Sequence, residues 1–156
     1  MKEILLTQDK FAVVDDHWFD YLNQWSWQAA FEHGHWYAVR TENTPKKRIF
    51  RMHRVIMNTP RGIVTDHKDG DGLNNVESNL RNCTNKQNIQ NQKISKRNTT
   101  GYKGVSWQKR TSKWVAQISI NGRQSYIGLY AKIEDAAQAY DEKAREQFGE
   151  FARTNF

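Results

Sequence analysis

The chain has 156 residues, a formal net charge of +7, 37% hydrophobic residues and a mean hydropathy of −0.92. That length suits one domain or two very small ones, and any core is small, so the six Trp and seven Phe must carry much of it. One cysteine, Cys83, excludes an internal disulfide framework and a Cys-cluster zinc site, and no apolar run or leader-like N-terminus implies a membrane, so the expectation is an intracellular protein with no membrane partner.

Residues 1–52 read as a small β-rich segment. Ile4-Leu5-Leu6 and Phe11-Ala12-Val13-Val14 are two short strands around a turn at Gln8-Asp9-Lys10. Asp15-Asp16 then favours a turn or a helix start, with Trp18, Tyr21 and Leu22 at helical spacing. Residues 26–31 and 36–40 are expected to form a hairpin around Glu32-His33-Gly34-His35, and residues 41–47, polar and containing Pro45, a loop. Four of the six Trp lie here, a density that marks core more often than a ligand cage. Residues 46–58 turn basic and then helical until Pro60 ends the piece.

Residues 66–91 carry the chemistry. Gly62-Ile63-Val64-Thr65 reads as a strand, Asp69-Gly70-Asp71-Gly72 as a turn, and Asn79-Leu80-Arg81-Asn82-Cys83 as a strand pairing back. Thr84 and Gln87 have capping-box spacing, so a helix starts at Thr84 with Asn88 and Asn91 on one face. The unit is a strand, a loop, a strand and a helix, with Asp66-His67 facing Asn88. Asp66 and Asn88 are hard oxygen donors suited to a Mg²⁺-like ion, and His67 has a pKa range suited to deprotonating water. A calcium loop is a poor competitor. Asp66 and Glu77 sit at its first and last positions, but Lys68 and Gly70 occupy ligand positions and Asp71 replaces the required Gly.

This stretch resembles the HNH endonucleases, in the homing-type branch without zinc-binding cysteines. The resemblance rests on His53-Arg54, Asp66-His67, Leu73-Asn74-Asn75, Ser78-Asn79-Leu80, and Thr84 through Asn88 to Asn91. It implies a ββα-metal nuclease unit over residues 53–92. Asp66 and Asn88 are then the ligands of one divalent cation, Mg²⁺ or Mn²⁺, His67 is the general base, and Asn79 ties down the loop. His53 is either an assistant in the site or a packing residue. Residues 1–52 are then a scaffold completing the nuclease sheet, and the likeness points to mobile genes, many of them in phages, acting in the cytoplasm of a bacterial host.

Between residues 78 and 133 there is no Asp or Glu, while 11 basic residues fall in that window, an arrangement that argues for a polyanionic partner. Residues 93–100 are a basic linker in which Lys93, Lys96 and Arg97 are expected to lie against DNA. Residues 101–156 form a second unit. A strand runs to about Lys109, a second covers 113–120 with alternating apolar residues, Asn121-Gly122 turns the hairpin, and a third strand covers 123–130. Residues 133–148 read as a helix with Ala136, Tyr140, Ala144 and Phe148 on one face, ended by Gly149 and lacking a Ser/Thr cap.

This second unit resembles the AP2 DNA-binding domain, on Gly101-Tyr102-Lys103-Gly104-Val105, Lys113-Trp114-Val115-Ala116-Gln117-Ile118, Ile127-Gly128, Ala136-Ala137-Gln138-Ala139-Tyr140-Asp141, Ala144, Phe148-Gly149 and Asn155-Phe156. The likeness implies that the open sheet face reads duplex DNA through Lys103, Ser106, Gln117, Ser119, Gln124 and Tyr126; Lys109 and Arg123 join them on charge. Ser or Gln stands at several positions usually held by Arg or Glu, so the target sequence does not carry over.

The reading as a whole is an α+β chain. Residues 1–52 are a β-rich segment, 53–92 the nuclease unit, 93–100 the linker, and 101–156 a three-stranded antiparallel sheet packed on one helix. The expected activity is metal-assisted hydrolysis of duplex DNA, with no protein partner required. The rivals are a DNA-binding transcriptional regulator with an inactive nuclease unit and an RNA-directed protein.

Overall fold

The computed structural model describes residues 1–95 and 97–156, which fall into two compact units, Met1–Asn88 and Ile89–Phe156. The chain is mixed α/β with mostly antiparallel sheets and short helices. No helix among the described residues is long and apolar enough to cross a membrane.

The first unit opens with β1 (Lys2–Leu5) and β2 (Phe11–Val14), paired antiparallel. Their turn bends through left-handed backbone at Gln8 and Asp9, with φ of 63° and 52°. Helix α1 (Asp16–Leu22) follows, and its Leu22 is fully buried. Then come β3 (Gln28–Glu32), β4 (His35–Thr44) and β5 (Lys46–Arg51), in the sheet order β3-β4-β5. Here the structure corrects the sequence. Residues 41–47 are not a loop, and the helix expected within 46–58 shrinks to α2 (Met52–Ile56). Strand β4 continues to Thr44 and β5 returns along it, from Thr44↔Lys46 to Val39↔Arg51. Pro45 sits at the turn between the strands, where its missing N–H interrupts no ladder.

Strands β6 (Val64–His67) and β7 (Leu80–Cys83) form their own two-stranded sheet. A 3₁₀ turn at Glu77–Asn79 leads into β7, and α3 (Asn85–Gln90) follows it. Strand β6 begins later than expected because Gly62, with φ of 86°, still belongs to a turn whose carbonyls at Thr59, Pro60 and Ile63 accept hydrogen bonds from the Arg54 guanidinium. The N-terminal segment does not complete this sheet. It meets the 68–79 loop at the parallel bridge Val13↔Asn74, where the Asn75 amide donates to the Val13 carbonyl at 2.8 Å, and at Glu77, whose amide donates to Asp15 Oδ2 and whose Oε1 accepts from Trp18 Nε1. The stronger bond is a shared apolar core, in which Ile4, Val14 and Leu22 pack with Met52, Ile56 and Leu80. Residues on both sides of position 52 therefore fold around one interior.

The second unit contains β8 (Val105–Gln108), β9 (Lys113–Ile120), β10 (Arg123–Tyr130) and α4 (Ile133–Phe148), with sheet order β10-β9-β8. Asn121 and Gly122 both have positive φ, 56° and 77°, the backbone of a tight two-residue hairpin turn. Ala136, Ala137, Tyr140 and Ala144 of α4 are buried against Val105, Ala116 and Ile118 of the sheet. Lys132 makes no side-chain cap, and Gly149 closes the helix in left-handed backbone. Gly104 is required by space as well as by its φ of 76°, since a Cβ there would lie 2.0 Å from the Tyr140 ring.

Candidate active site and nucleic-acid surface

The Asp66-His67 pair lies at the end of β6, where successive side chains take opposite faces of the sheet. Asp66 opposes Arg81 across the ladder, and its Oδ2 accepts from Arg81 Nε at 2.9 Å and Nη2 at 2.8 Å. Both side chains are buried, so the pair makes two charge-assisted hydrogen bonds out of water. His67 opposes Leu80 and is 6% exposed. Its ring packs edge-on to His53 of α2, with centroids 4.9 Å apart, and lies 6.1 Å from the Tyr37 ring of β4. His67 Nε2 is 3.4 Å from Oδ1 of Asn75, a side chain with no exposure whose Nδ2 donates to the Leu73 carbonyl.

The loop that carries Asn75 is closed from within. Asn79 donates through Nδ2 to Asp69 Oδ1 and the Asn74 carbonyl, and its Oδ1 accepts from the Asp69 amide. Asp69 also accepts from the Asp71 amide and from Asn74 Nδ2. Gly72 lets this loop lie directly on β4, because a Cβ there would meet the Trp36 carbonyl at 2.3 Å and the Tyr37 ring at 2.6 Å. On the other side, Thr84 and Gln87 form the capping box: the Thr84 amide donates to Gln87 Oε1 at 2.9 Å, and the Gln87 amide to Thr84 Oγ1 at 3.3 Å. Asn88 sits half-buried within the helix so begun, its amide donating to the Thr84 carbonyl. Asn91 falls just past the last residue of α3.

Burial dominates the electrostatics here. Desolvation pushes the His67 pKa down from its ordinary value, against upward contributions from the Asn75 hydrogen bond and from Asp69, Asp66 and Asp71. Burial also pushes His53 down, to about 3, with His67, Arg51 and Arg54 adding to the effect, and its Nδ1 is buried with no hydrogen-bond partner among the described residues. Two neutral imidazoles therefore lie side by side near neutral pH. The oxygens of Asp66 and Asn88 suit a hard cation. No group of three His, Cys, Asp or Glu able to hold a metal occurs among the described residues. Oxygen donors of this type are the chemistry that an ion such as Mg²⁺ takes, and that ion keeps several waters where protein ligands are few.

Sequence reasoning assigned no role to Arg81 or Tyr37, left His53 between assisting in the site and packing, and counted Asn75 only within the Leu73-Asn74-Asn75 run. Arg81 was readable in principle, since Asp66 and Arg81 share a rung once 62–65 and 79–83 are paired. Tyr37 and Asn75 come close to His67 only through tertiary packing, and no spacing rule points to them.

The candidate DNA-facing residues of the second unit spread over one sheet surface. Ser106, Ser119, Gln124 and Tyr126 are exposed and Gln117 is half-buried, on strands whose opposite face packs on α4. Lys109 and Arg123 are exposed at the strand ends. Lys103 differs from these. Its Nζ donates to the carbonyls of Gln90 and Gln92 at 2.9 and 2.8 Å, and burial lowers its pKa to about 8. That ammonium is already engaged in holding the segment before β8. Lys93 and Arg97 are exposed, and Lys96 lies outside the described residues.

Comparison with known proteins adds four findings. Residues 100–150 match the AP2 domain. Over 94 residues the chain is 38% identical to Protein 3.8 of Escherichia phage T7, covering 60% of this chain and 77% of that protein. It is 38% identical over 96 residues to a mimivirus protein named Uncharacterized HNH endonuclease L560, from Acanthamoeba polyphaga mimivirus, covering 62% of this chain and 49% of that one. Over 57 residues it is 44% identical to Dehydration-responsive element-binding protein 2A of Oryza sativa subsp. indica, covering 35% of this chain and 20% of that protein.

Proposed function

Because the chain belongs to the family of phage T7 Protein 3.8 and carries an AP2 DNA-binding domain at residues 100–150, we propose that it is a homing-type HNH endonuclease held on duplex DNA by the β8–β10 sheet. The observation that carries the nuclease half is the His67 imidazole, kept neutral by burial, next in chain to the Asp66 carboxylate and braced by Asn75 in a loop closed by Asn79. The name of the mimivirus relative supports the same reading.

The reaction is hydrolysis of a phosphodiester. With Nε2–H directed to Asn75 Oδ1, the imidazole presents Nδ1 as its basic nitrogen. His67 takes a proton from water as the water oxygen bonds to phosphorus, and the bond to the leaving sugar oxygen breaks. Asn75 and the edge-on His53 ring fix the orientation of the base, and Arg81 fixes Asp66. Asp66 and Asn88 would hold one Mg²⁺ or Mn²⁺, which when bound stabilises charge on the leaving oxygen.

The test is conversion of supercoiled plasmid to nicked or linear form with Mg²⁺ or Mn²⁺, with EDTA as control. Cleavage with the metal and none in EDTA is expected. The second reading is a DNA-binding transcriptional regulator with an inactive nuclease unit, and the buried Asp66–Arg81 pair is the feature that favours it. Duplex binding without cleavage in either metal selects the regulator.

A further inference from the structure

The part of the first unit that no role has absorbed is the outer half of the β4–β5 hairpin. Strand β3 pairs with β4 only from His35 to Val39, whereas β5 pairs with β4 from Val39 to Thr44. Beyond Val39 the three-stranded sheet narrows to a two-stranded ribbon with Pro45 at its tip. A free ribbon of that kind is marginal in water. This one is clamped at its root, where the Arg40 guanidinium lies 4.4 Å from the Trp25 ring and 4.2 Å from the Phe50 ring and pairs with Glu42.

The charge on the ribbon is one-sided. Residues 43–65 contain no Asp or Glu and six basic residues. Three of the six are accounted for or lie elsewhere: Arg51 pairs with Glu32 at 2.8 Å, Arg54 donates to backbone carbonyls, and Arg61 lies in the turn before β6. The other three, Lys46, Lys47 and Arg48, are consecutive on β5 and exposed, and no carboxylate among the described residues lies within ion-pair distance of them. The acid opposite Arg48 in the ladder, Glu42, is taken by Arg40. Three uncompensated cations on a slender stiff ribbon repel one another, and a polyanion removes that cost.

We propose that this ribbon is a second duplex-DNA contact, built into the first unit and separate from the AP2 sheet, in which Lys46, Lys47 and Arg48 bind backbone phosphates. A two-stranded ribbon has the width of the major groove, and its tip cations reach the phosphates that line it. The contact is sequence-independent, because Lys and Arg on phosphates fix position and read no base. It would hold the Asp66-His67 unit against DNA by a grip of its own. The inference rests on the reading of the protein as a duplex-DNA binder.

The experiment uses the full chain in EDTA, so that no strand is cut, and measures duplex affinity across a KCl series. Three proteins are compared with the parent: K46Q/K47Q/R48Q, K46R/K47R, and the sheet variant K109Q/R123Q. The Gln triple variant is expected to flatten the slope of log K against log [salt] by about 2 to 3, near 0.9 for each lost phosphate contact. K46R/K47R keeps the charge and should retain the parental slope. If the Gln triple variant keeps the parental slope and affinity while the sheet variant loses both, the ribbon contact is refuted and the DNA reading stands. A parent with no salt-dependent duplex binding overturns both together.

Discussion

At the scale of single residues, the account turns on imidazoles that burial keeps neutral. His53 has a folded pKa of about 3 against an ordinary 6.5, so between those values the unfolded chain binds a proton that the folded chain refuses. Stability is then fully present above pH 6.5 and is lost as pH falls from 6.5 toward 3. His67, also lowered, adds loss in the same direction. Urea titrations from pH 7 to pH 4 should show the first unit weakening, and His53→Phe should blunt that dependence; an unchanged pH slope in the variant would place the acid sensitivity elsewhere. Cleavage should follow the same sign: the base works only when unprotonated, so the acid limb of kcat/KM should lie below pH 6.5. Asn75 is a second residue-scale test. It is fully buried, and Asn75→Ala removes partners of His67 and of the Leu73 carbonyl, which costs about 1–3 kcal/mol by denaturant unfolding. Asp66, His67, Asn79 and Asn88 could be singled out in sequence because their order and spacing form a pattern. Asn75 and Tyr37 could not be given roles, and His53 could not be fixed between its two, because what brings them to His67 is packing between β4, α2 and the loop.

At the scale of elements, local signals were legible wherever turn chemistry decided the outcome. The capping box at Thr84 and Gln87 forms with its reciprocal hydrogen bonds, the Asn121-Gly122 turn has the two positive φ angles it needs, and Gly149 ends α4. Strand β5 was not legible. Pro45 and a run of cations look like a loop, and the strand exists because β4 supplies a ladder from Val39 to Thr44 and aromatic rings clamp Arg40 at its base. The expectation that residues 1–52 extend the nuclease sheet also failed, for a related reason: the union is made by side chains in a shared core, which strand-by-strand reading does not see. Two substitutions belong to this scale. Thr84→Ala should cost about 1 kcal/mol and loosen the start of the short helix that carries Asn88. Gly104→Ala should destabilise the second unit by about 2–4 kcal/mol, from overpacking against Tyr140 plus left-handed strain. A parental melting curve for Gly104→Ala would mean that β8 and α4 are less tightly packed than described.

At the scale of the whole chain, charge and function divide the same way. The acid-free window from 78 to 133 includes the sheet of the second unit, with Lys109 and Arg123 exposed on it, and a second acid-free window at 43–65 supplies the ribbon of the first. In the sequence the second window shows only as the basic start of residues 46–58, because 17 acidic residues elsewhere make the remainder look balanced in sum. The strand register adds that Glu42, opposite Arg48, is taken by Arg40, and no carboxylate among the described residues lies within ion-pair distance of Lys46, Lys47 or Arg48. In the proposed function, a surface that grips duplex DNA serves a buried base that cuts it. The most direct measurement is cleavage and duplex affinity of His67→Ala beside the parent, in the same buffer with Mn²⁺. The account predicts that the variant binds duplex with nearly parental affinity and leaves supercoiled plasmid uncut; cleavage at the parental rate would contradict it.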